Sequence, residues 1–179
     1  MHAEERAARM RIFEPQTIPG VFQTEGYIRE LFRQVGKLPH EIDAQVTARL
    51  ARRATLAKLN PPSTWTVLEE GALSRLCQLP SEIAAEQVEH LLAMAELPNV
   101  TIEVVPISCG LHACMNGPIV LISIPGRGEV AYCEGMGSGR LVTDDQAVLD
   151  VECRYDLMRA EAHSPRHSVQ VLSDLLEML

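Results

Sequence analysis

The sequence predicts an α+β domain in which a small antiparallel sheet of four to five strands packs with about five to six helices. Helix-like segments come before, within and after a run of short strand-like segments. The turn Pro125-Gly126-Arg127-Gly128 joins two apolar runs and favours antiparallel pairing. Hydrophobic residues make up 46% of the 179 residues, which is enough for a packed core, and no repeat divides the chain. We therefore expect one domain over residues 1–179, with an N-terminal helix and loop at 1–17 and an α+β core at 18–179.

Six segments combine apolar residues at three- and four-residue spacing with start or stop signals for a helix. In the first, Ala7, Met10 and Phe13 recur at every third position. Thr24 is an N-cap candidate for the second, and the pair Pro61-Pro62 stops the third. The predicted helices cover residues 3–13, 24–36, 40–60, 81–97, 144–162 and 164–179, with a shorter helix or turn over 72–79.

Five further segments have strand character, because they are rich in β-branched and apolar residues and lie between turn signals. The segment Ile119–Ile124 is almost entirely apolar and is expected at the centre of the sheet. The glycine-rich stretch Gly135–Arg140 predicts a hairpin bend rather than a phosphate-binding loop, because no helix is expected directly after it. The predicted strands cover residues 64–68, 100–104, 119–124, 130–134 and 140–142.

The composition argues against nucleic-acid binding. The formal net charge is −8, so the long-range field of the protein repels phosphates. The one basic cluster, Arg49, Arg52, Arg53 and Lys58, lies on a single predicted helix with acidic neighbours. Aromatic residues make up 4%, which is few for surfaces that stack single-stranded bases. We therefore predict that the chain does not bind duplex DNA by itself.

The pattern of apolar residues and cysteines predicts a cytoplasmic location. No apolar stretch reaches the length of a membrane span, so no membrane partner is expected. The N-terminal residues lack the basic start and the apolar run of a signal peptide. Five scattered cysteines are typical of reduced thiols rather than of a disulfide framework.

The densest group of reactive side chains is Cys109, His112 and Cys114. Thiols and imidazoles are ligands for Zn²⁺ and Cu⁺, but a closed zinc site usually has four ligands, and no second pair follows. We therefore predict no metal and no cofactor, and interpret the cysteines as small buried residues. His112 lies in a loop after a strand and is a candidate for ligand contact or proton transfer. The alternative is that it forms a hydrogen bond that only fixes the loop.

Three carboxylates, Glu69, Glu70 and Glu134, lie at the ends of predicted strands. On neighbouring strands they could converge on one pocket, where burial would raise their pKa values. Paired with His112 or Tyr132, they would suit general acid–base chemistry. The alternative is salt bridging to nearby arginines. No Gly-x-Ser-x-Gly elbow occurs, so a serine hydrolase of that type is not expected.

Several short motifs, in a consistent order, resemble those of a known family. Ile18–Tyr27 is similar to the recurrent stretch iPGLLQTeeYa, and Leu97–Pro106 is similar to pnvtvqVlP. Further matches of this kind are Ile12–Glu14, Arg49–Arg53, Val67–Leu73, Gly110–His112, Gly117–Pro118, Tyr132–Gly135 and Ser164–Ser168. Together they resemble the C-terminal domain of unknown function in actinobacterial XRE-type helix-turn-helix regulators, over nearly the whole chain. The helix-turn-helix that usually precedes this domain is not expected here, because only one short helix is predicted before Ile18.

The resemblance implies sensing or partner binding and no defined reaction. We therefore expect a non-catalytic domain that binds a small molecule or a small protein partner. The expected pocket lies between the sheet and the helices that carry Tyr27 and Arg49, near His112 and Glu134. The expected ligand-binding residues are Tyr27, Arg49, Glu69, His112, Tyr132 and Glu134.

Two alternatives to a sensor remain open. A standalone copy recruited into natural-product biosynthesis, as an enzyme of the cyclase or isomerase type, would use His112 with Glu70 or Glu134 as its acid–base pair. A homodimerisation or protein-interaction module would use the aliphatic C-terminal stretch Leu175–Leu179.

Overall fold

The fold is organised around one six-stranded mixed sheet. The computed structural model describes residues 6–53, 56, 59–134 and 139–179. The strands lie in the order β3-β2-β1-β4-β5-β6. Their bounds are β1 Arg9–Glu14, β2 Ser63–Glu69, β3 Val100–Val105, β4 Ile119–Ile124, β5 Gly128–Cys133 and β6 Arg140–Val142.

Six α-helices and two 3₁₀ turns surround the sheet in the described part of the chain. The 3₁₀ turns are Gly20–Phe22 and Ile107–Cys109. The helices are α1 Glu25–Gln34, α2 Pro39–Arg53, α3 Glu70–Leu76, α4 Ser81–Ala95, α5 Asp145–Arg159 and α6 Pro165–Met178. The α+β class and the helix count predicted from the sequence are therefore confirmed. The end of the predicted 40–60 helix falls partly on residues 54, 55, 57 and 58, and the glycine bend on residues 135–138, which lie outside the described residues.

The prediction of a helix over residues 3–13 is wrong, because Arg9–Glu14 forms the central strand β1. Met10 and Ile12 point to one face of the sheet, while Arg11 and Phe13 point to the other. Both faces are covered, so apolar residues occur at adjacent positions and imitate helical spacing. Pairing with β2 on one side and β4 on the other supplies the backbone hydrogen bonds that a helix would otherwise provide.

The sheet also differs from the predicted antiparallel sheet of four to five strands, because it is mixed and has six strands. β1, β2 and β3 run parallel to one another, and β1, β4, β5 and β6 pair antiparallel in that order. Parallel strands need crossover connections, and the helices α1–α2 and α3–α4 provide them. The antiparallel half is joined by shorter links, including the predicted turn after Ile124. The five strands predicted from the sequence are all present, and β1 is the sixth.

The two faces of the sheet pack against different helices. We call one the α4 face, because its Leu68, Ile102 and Ile122 join the Val88 and Leu91 side chains of α4 in one core cluster. The other is the α5 face, whose buried residues join side chains of α5. Its members include Phe13, Val67, Leu121, Tyr155 and Met158. Leu175, Leu176 and Leu179, which were considered for a dimer interface, pack partly buried against the α4-face core.

The outer edge of β3 is occupied by the start of α6. The Val104 backbone N–H donates a hydrogen bond of 2.9 Å to the Ser168 hydroxyl oxygen, and the Val104 carbonyl accepts one of 2.9 Å from the His163 N–H. Ser168 is fully buried. An edge strand otherwise presents unpaired backbone groups, so this contact completes the pairing of β3 at Val104.

Candidate functional site

A cavity of about 390 Å³ lies on the α4 face, over the antiparallel half of the sheet. Alternate residues of the strands point the same way, so β1 and β4 present an apolar floor. Its members are Met10, Ile12, Val120 and Ile122. The opposite wall comes from residues 17–21, from Gln23 and from the Arg49 and Arg52 side chains of α2. The carboxyl ends of β1 and β5 supply Glu14 and Glu134.

Hydrogen bonds between side chains and backbone hold the wall of the cavity in place. The buried Gln23 donates through Nε2 to the Ile18 carbonyl at 2.5 Å and accepts a hydrogen bond from the Arg49 guanidinium. The Ile18 N–H donates to the Tyr27 hydroxyl at 3.1 Å. Tyr27 therefore supports the wall from behind and is not itself a lining residue.

Gln87 of α4 attaches the same segment to the core. Its side chain is fully buried. Its Oε1 accepts a hydrogen bond of 2.9 Å from the Thr24 N–H, and its Nε2 donates one of 2.8 Å to the Phe22 carbonyl. The Thr24 hydroxyl in turn caps α1 by accepting from the Tyr27 N–H. A single buried amide thus fixes both the 3₁₀ turn and the start of α1.

Glu14 is the most perturbed acid of the cavity. Burial, together with the smaller effect of the neighbouring Glu134 charge, raises the pKa of its carboxyl to about 7. The Gln16 and Thr17 backbone N–H groups and the Arg49 charge act in the opposite direction, and the Gln16 N–H lies 3.3 Å from Oε1. Glu14 is therefore able to exchange a proton near neutral pH.

Arg49 is the cation nearest to the interior of this site. Its guanidinium donates to Gln23 and lies over the Phe32 ring, 4.8 Å from the centroid. Burial lowers the pKa of Arg49, and the neighbouring Arg52 charge lowers it further. Among the described residues, Arg49 forms no ion pair with Glu14 or Glu134, although its charge acts on both carboxyl groups.

The structure places three of the predicted ligand-binding residues at the cavity: Arg49, Tyr132 and Glu134. Tyr132 and Glu134 follow the alternation of β5 onto the α4 face. Gly139 lies so close to Tyr132 that a Cβ at position 139 would overlap the tyrosine hydroxyl. Position 139 therefore requires glycine while the Tyr132 ring keeps its place.

The structure places the other predicted site residues elsewhere. Glu69 ends β2 and does not line the cavity. Glu70 begins α3, and its Oε2 accepts a hydrogen bond of 2.7 Å from the Ile107 N–H, so it fixes the second 3₁₀ turn. His112 contacts the Phe13 ring edge-on, with 5.4 Å between the ring centroids. Because Phe13 points to the α5 face, His112 lies across the sheet from the cavity.

The loop that carries His112 binds its own polar groups. The His112 Nδ1 accepts a hydrogen bond of 3.2 Å from the Cys114 N–H, and Nε2 is buried without a partner among the described residues. The Cys114 thiol lies 3.3 Å from the Arg154 carbonyl, and burial raises its pKa to about 11. A metal-ligating cysteine has to be a thiolate, so this environment disfavours ligation. No group of three or more candidate metal ligands occurs among the described residues.

A second depression, of about 410 Å³, lies between α1, α2 and α4. Its lining is largely charged and polar, and includes Arg53, Glu86, Glu89 and His90. It lacks the apolar floor that small-molecule sites usually have. The cavity over β1 and β4 is therefore the better candidate site.

Glu14 and Gln23 are two polar cavity residues that the sequence-based site prediction did not include. Both occur in motifs that carried the family resemblance, but neither was selected as a site residue. With β1 assigned as a helix, the alternation of Met10, Ile12 and Glu14 was not recognised. That alternation places an acid at the end of an apolar strand face, which is the signal that would have identified it.

Comparison with known protein families matches residues 1–174 to the domain of unknown function DUF5753. The match covers almost the entire chain, and the chain therefore belongs to this family. Comparisons with curated proteins and with solved structures found no match. None of the helices in the described part of the chain has the length and apolar character that crossing a membrane requires.

Proposed function

We propose that the chain is a non-catalytic sensor domain that binds a small molecule in the cavity over β1 and β4. A volume of about 390 Å³ falls within the range of small-molecule sites, roughly 300–1,000 Å³. Such sites usually combine an apolar surface with a few convergent polar groups. The floor of Ile12, Val120 and Ile122 and the polar groups of Glu14 and Arg49 supply both.

The observation that carries this proposal is the wall itself. Gln23, Tyr27 and Gln87 hold it with buried hydrogen bonds, so the cavity is formed before any ligand binds. A preformed site loses little conformational entropy on binding, which favours affinity. These bonds satisfy the wall's own polar groups, and the carboxyl of Glu14, which forms no ion pair among the described residues, is left to contact a bound molecule.

The family context supports a regulatory use of such binding. The motifs resemble the C-terminal domain of actinobacterial XRE-type regulators, in which a DNA-reading segment usually precedes this domain. In that arrangement, ligand occupancy would be reported to a DNA-reading segment or to a small protein partner. A ligand reports occupancy only if it binds one state of the domain better than another.

A thermal-shift screen of a small-molecule library tests the proposal. A ligand at about one hundred times its dissociation constant stabilises the native state by about 2.7 kcal/mol, which raises the Tm by roughly 5–10 °C for a chain of this length. Val120→Trp fills the cavity from its floor and should abolish the shifts. Leu157→Trp is the matched control, because Leu157 is exposed on α5 and should leave them unchanged. Hits that stabilise Val120→Trp as strongly as the wild type would contradict the proposal.

A second candidate function is acid–base catalysis at the same cavity, favoured by the Glu14 pKa of about 7. His112 and Glu70 lie outside the cavity, so the acid–base pairs expected from the sequence are not assembled there. Prolonged incubation of screening hits with the protein, followed by chromatography and NMR, separates the two functions. Chemical conversion of a hit by the wild type, but not by Glu14→Gln, would favour catalysis. Recovery of the hit unchanged would favour sensing.

A further inference from the structure

We infer that the molecule bound in this cavity carries a protonated amine, and that the amine pairs with the carboxylate of Glu14. This inference rests on the proposed function and specifies the chemical class of its ligand. Four charged side chains line the cavity, Glu14, Arg49, Arg52 and Glu134, and the inference is carried by the contrast between the contacts of Glu14 and those of Arg49.

Arg49 already has partners in the protein. Its guanidinium donates to the Gln23 amide oxygen and lies over the Phe32 ring. These contacts hold the guanidinium against the wall of the cavity. Arg52, the other cation of the lining, also interacts within the protein, so an anionic ligand would meet no free cation among the described residues here and would share the cavity with Glu14 and Glu134.

Glu14 has no comparable cationic partner among the described residues. Its contacts are the backbone N–H groups of Gln16 and Thr17. Glu14 is half-buried, a carboxylate that is partly removed from water is costly unless it is paired, and Glu134 is a second acidic group in the same cavity. A ligand cation placed at Glu14 would pair with its carboxylate and offset the second acidic group. The floor of Ile12, Val120 and Ile122 would contact the apolar part of the ligand.

The surroundings of Glu14 determine how binding depends on pH. Its carboxyl is mainly protonated below neutral pH, because burial raises its pKa to about 7. The charged and titratable groups around it come from α1, α2, α3, and the ends of β5. They are Tyr27, Arg49, Arg52, Arg75, Tyr132 and Glu134. Pairing with an amine requires the ionised carboxylate, so amine affinity should rise as pH increases, and binding at pH 6 should release roughly one proton.

Three probes of similar size and different charge test the inference: phenethylamine, phenethyl alcohol and hydrocinnamate. Binding is followed by ¹H–¹³C methyl NMR at the cavity floor. We expect the amine to bind at pH 7.5 at least tenfold more tightly than the alcohol or the carboxylate. Its affinity should rise roughly tenfold or more between pH 5.5 and pH 7.5, since the ionised fraction of a group with a pKa of about 7 rises by that factor.

Glu14→Gln separates pairing from shape, because it removes the charge and retains the size of the side chain. The variant should bind the amine at least tenfold more weakly, lose the pH dependence, and bind the alcohol within twofold of wild type. Glu177→Gln, at an exposed position of α6, makes the same charge change and should alter none of these values. Circular dichroism confirms that each variant is folded.

Several results would overturn the inference. These are equal or tighter binding of the alcohol or of hydrocinnamate, unchanged amine affinity in Glu14→Gln, or no binding of the amine. If magnesium chloride produces the same Glu14-dependent shifts, the inferred ligand is a metal cation and not an organic amine, and the inference is overturned. In each of these cases, library hits whose thermal shifts are lost in Val120→Trp would still support ligand binding in the cavity. If no hit behaves in this way, both the proposed function and the amine inference are contradicted.

Discussion

The Thr24 backbone N–H donates a hydrogen bond of 2.9 Å to the side-chain oxygen of Gln87, across 63 positions of sequence. The side-chain Nε2 of Gln87 donates a second hydrogen bond, of 2.8 Å, to the Phe22 carbonyl. This bridge joins the cavity wall to α4 at a point where both partners are buried. The shape of the cavity therefore depends on a side chain that does not line it.

Gln87→Leu should reduce the free energy of unfolding by about 2–4 kcal/mol, because it leaves a buried N–H and a buried carbonyl unsatisfied. Urea denaturation measures this loss. Gln170→Leu on α6 is the control, since Gln170 is exposed and bonds only the exposed Asp174, and it should change the stability by less than about 0.5 kcal/mol. Similar effects of the two substitutions would mean that the wall is not held by Gln87.

Glu14→Gln should alter the pH dependence of stability. The pKa of Glu14 is raised in the fold from 4.5 to about 7, so the native state binds the proton more tightly and loses stability as pH rises through this window. The variant should gain roughly 2–3 kcal/mol relative to wild type between pH 5 and pH 8. Urea titrations at the two pH values measure this gain, with Glu177→Gln as the charge control. A difference that does not change with pH would show that Glu14 ionises normally.

Ser168→Ala should destabilise the protein by about 1–3 kcal/mol, because the buried Val104 N–H loses its acceptor at the edge of β3. Ser173→Ala is a matched control on the same helix, where the hydroxyl only donates to the Val169 carbonyl one turn earlier. Thermal or urea unfolding compares the two variants. Equal losses would indicate that the helix, rather than the strand edge, is the sensitive element.

The sequence predicted five of the six strands, because their apolar and β-branched runs lie between clear turn signals. It failed at β1, where Arg11 is placed on a largely buried face. The acids that neutralise Arg11 come from β5 and α5: Glu129 at 2.8 Å, with Glu152 and Asp156. Partners separated by more than one hundred positions cannot be identified from a local window, so a charged residue in a central strand resembles a helix surface.

The candidate site was predicted in part. Arg49, Tyr132 and Glu134 line the cavity, as the expected position between sheet and helices implied. His112 does not, because it contacts the Phe13 side chain, which packs in the core cluster of the α5 face. Which side chains of residues 9–14 face the cavity depends on β1 being a strand. Because this segment was predicted as a helix, Glu14 was not predicted at the site.

The purified chain should not bind duplex DNA specifically. Arg49 lines the cavity together with Glu14 and Glu134, and Arg53 lines the depression near α4 together with Glu86 and Glu89, so both cations share their surroundings with acidic groups. The net charge of −8 opposes approach to phosphates. Fluorescence anisotropy at about 150 mM salt, close to physiological ionic strength, checks this expectation. Sub-micromolar, sequence-selective binding would refute it.

The most direct test of ligand binding in the cavity is methyl NMR mapping of a hit from the thermal-shift screen. Selective labelling of isoleucine, leucine and valine reports on Ile12, Val120 and Ile122 at the cavity floor and on Leu157 and Leu172 outside it. We predict saturable shifts that are largest at the methyl groups of these three floor residues, and absent from Ile12 and Ile122 in Val120→Trp. Shifts that centre on Leu157 or another surface, with the floor methyl groups unchanged, would contradict the assignment of the cavity as the ligand site.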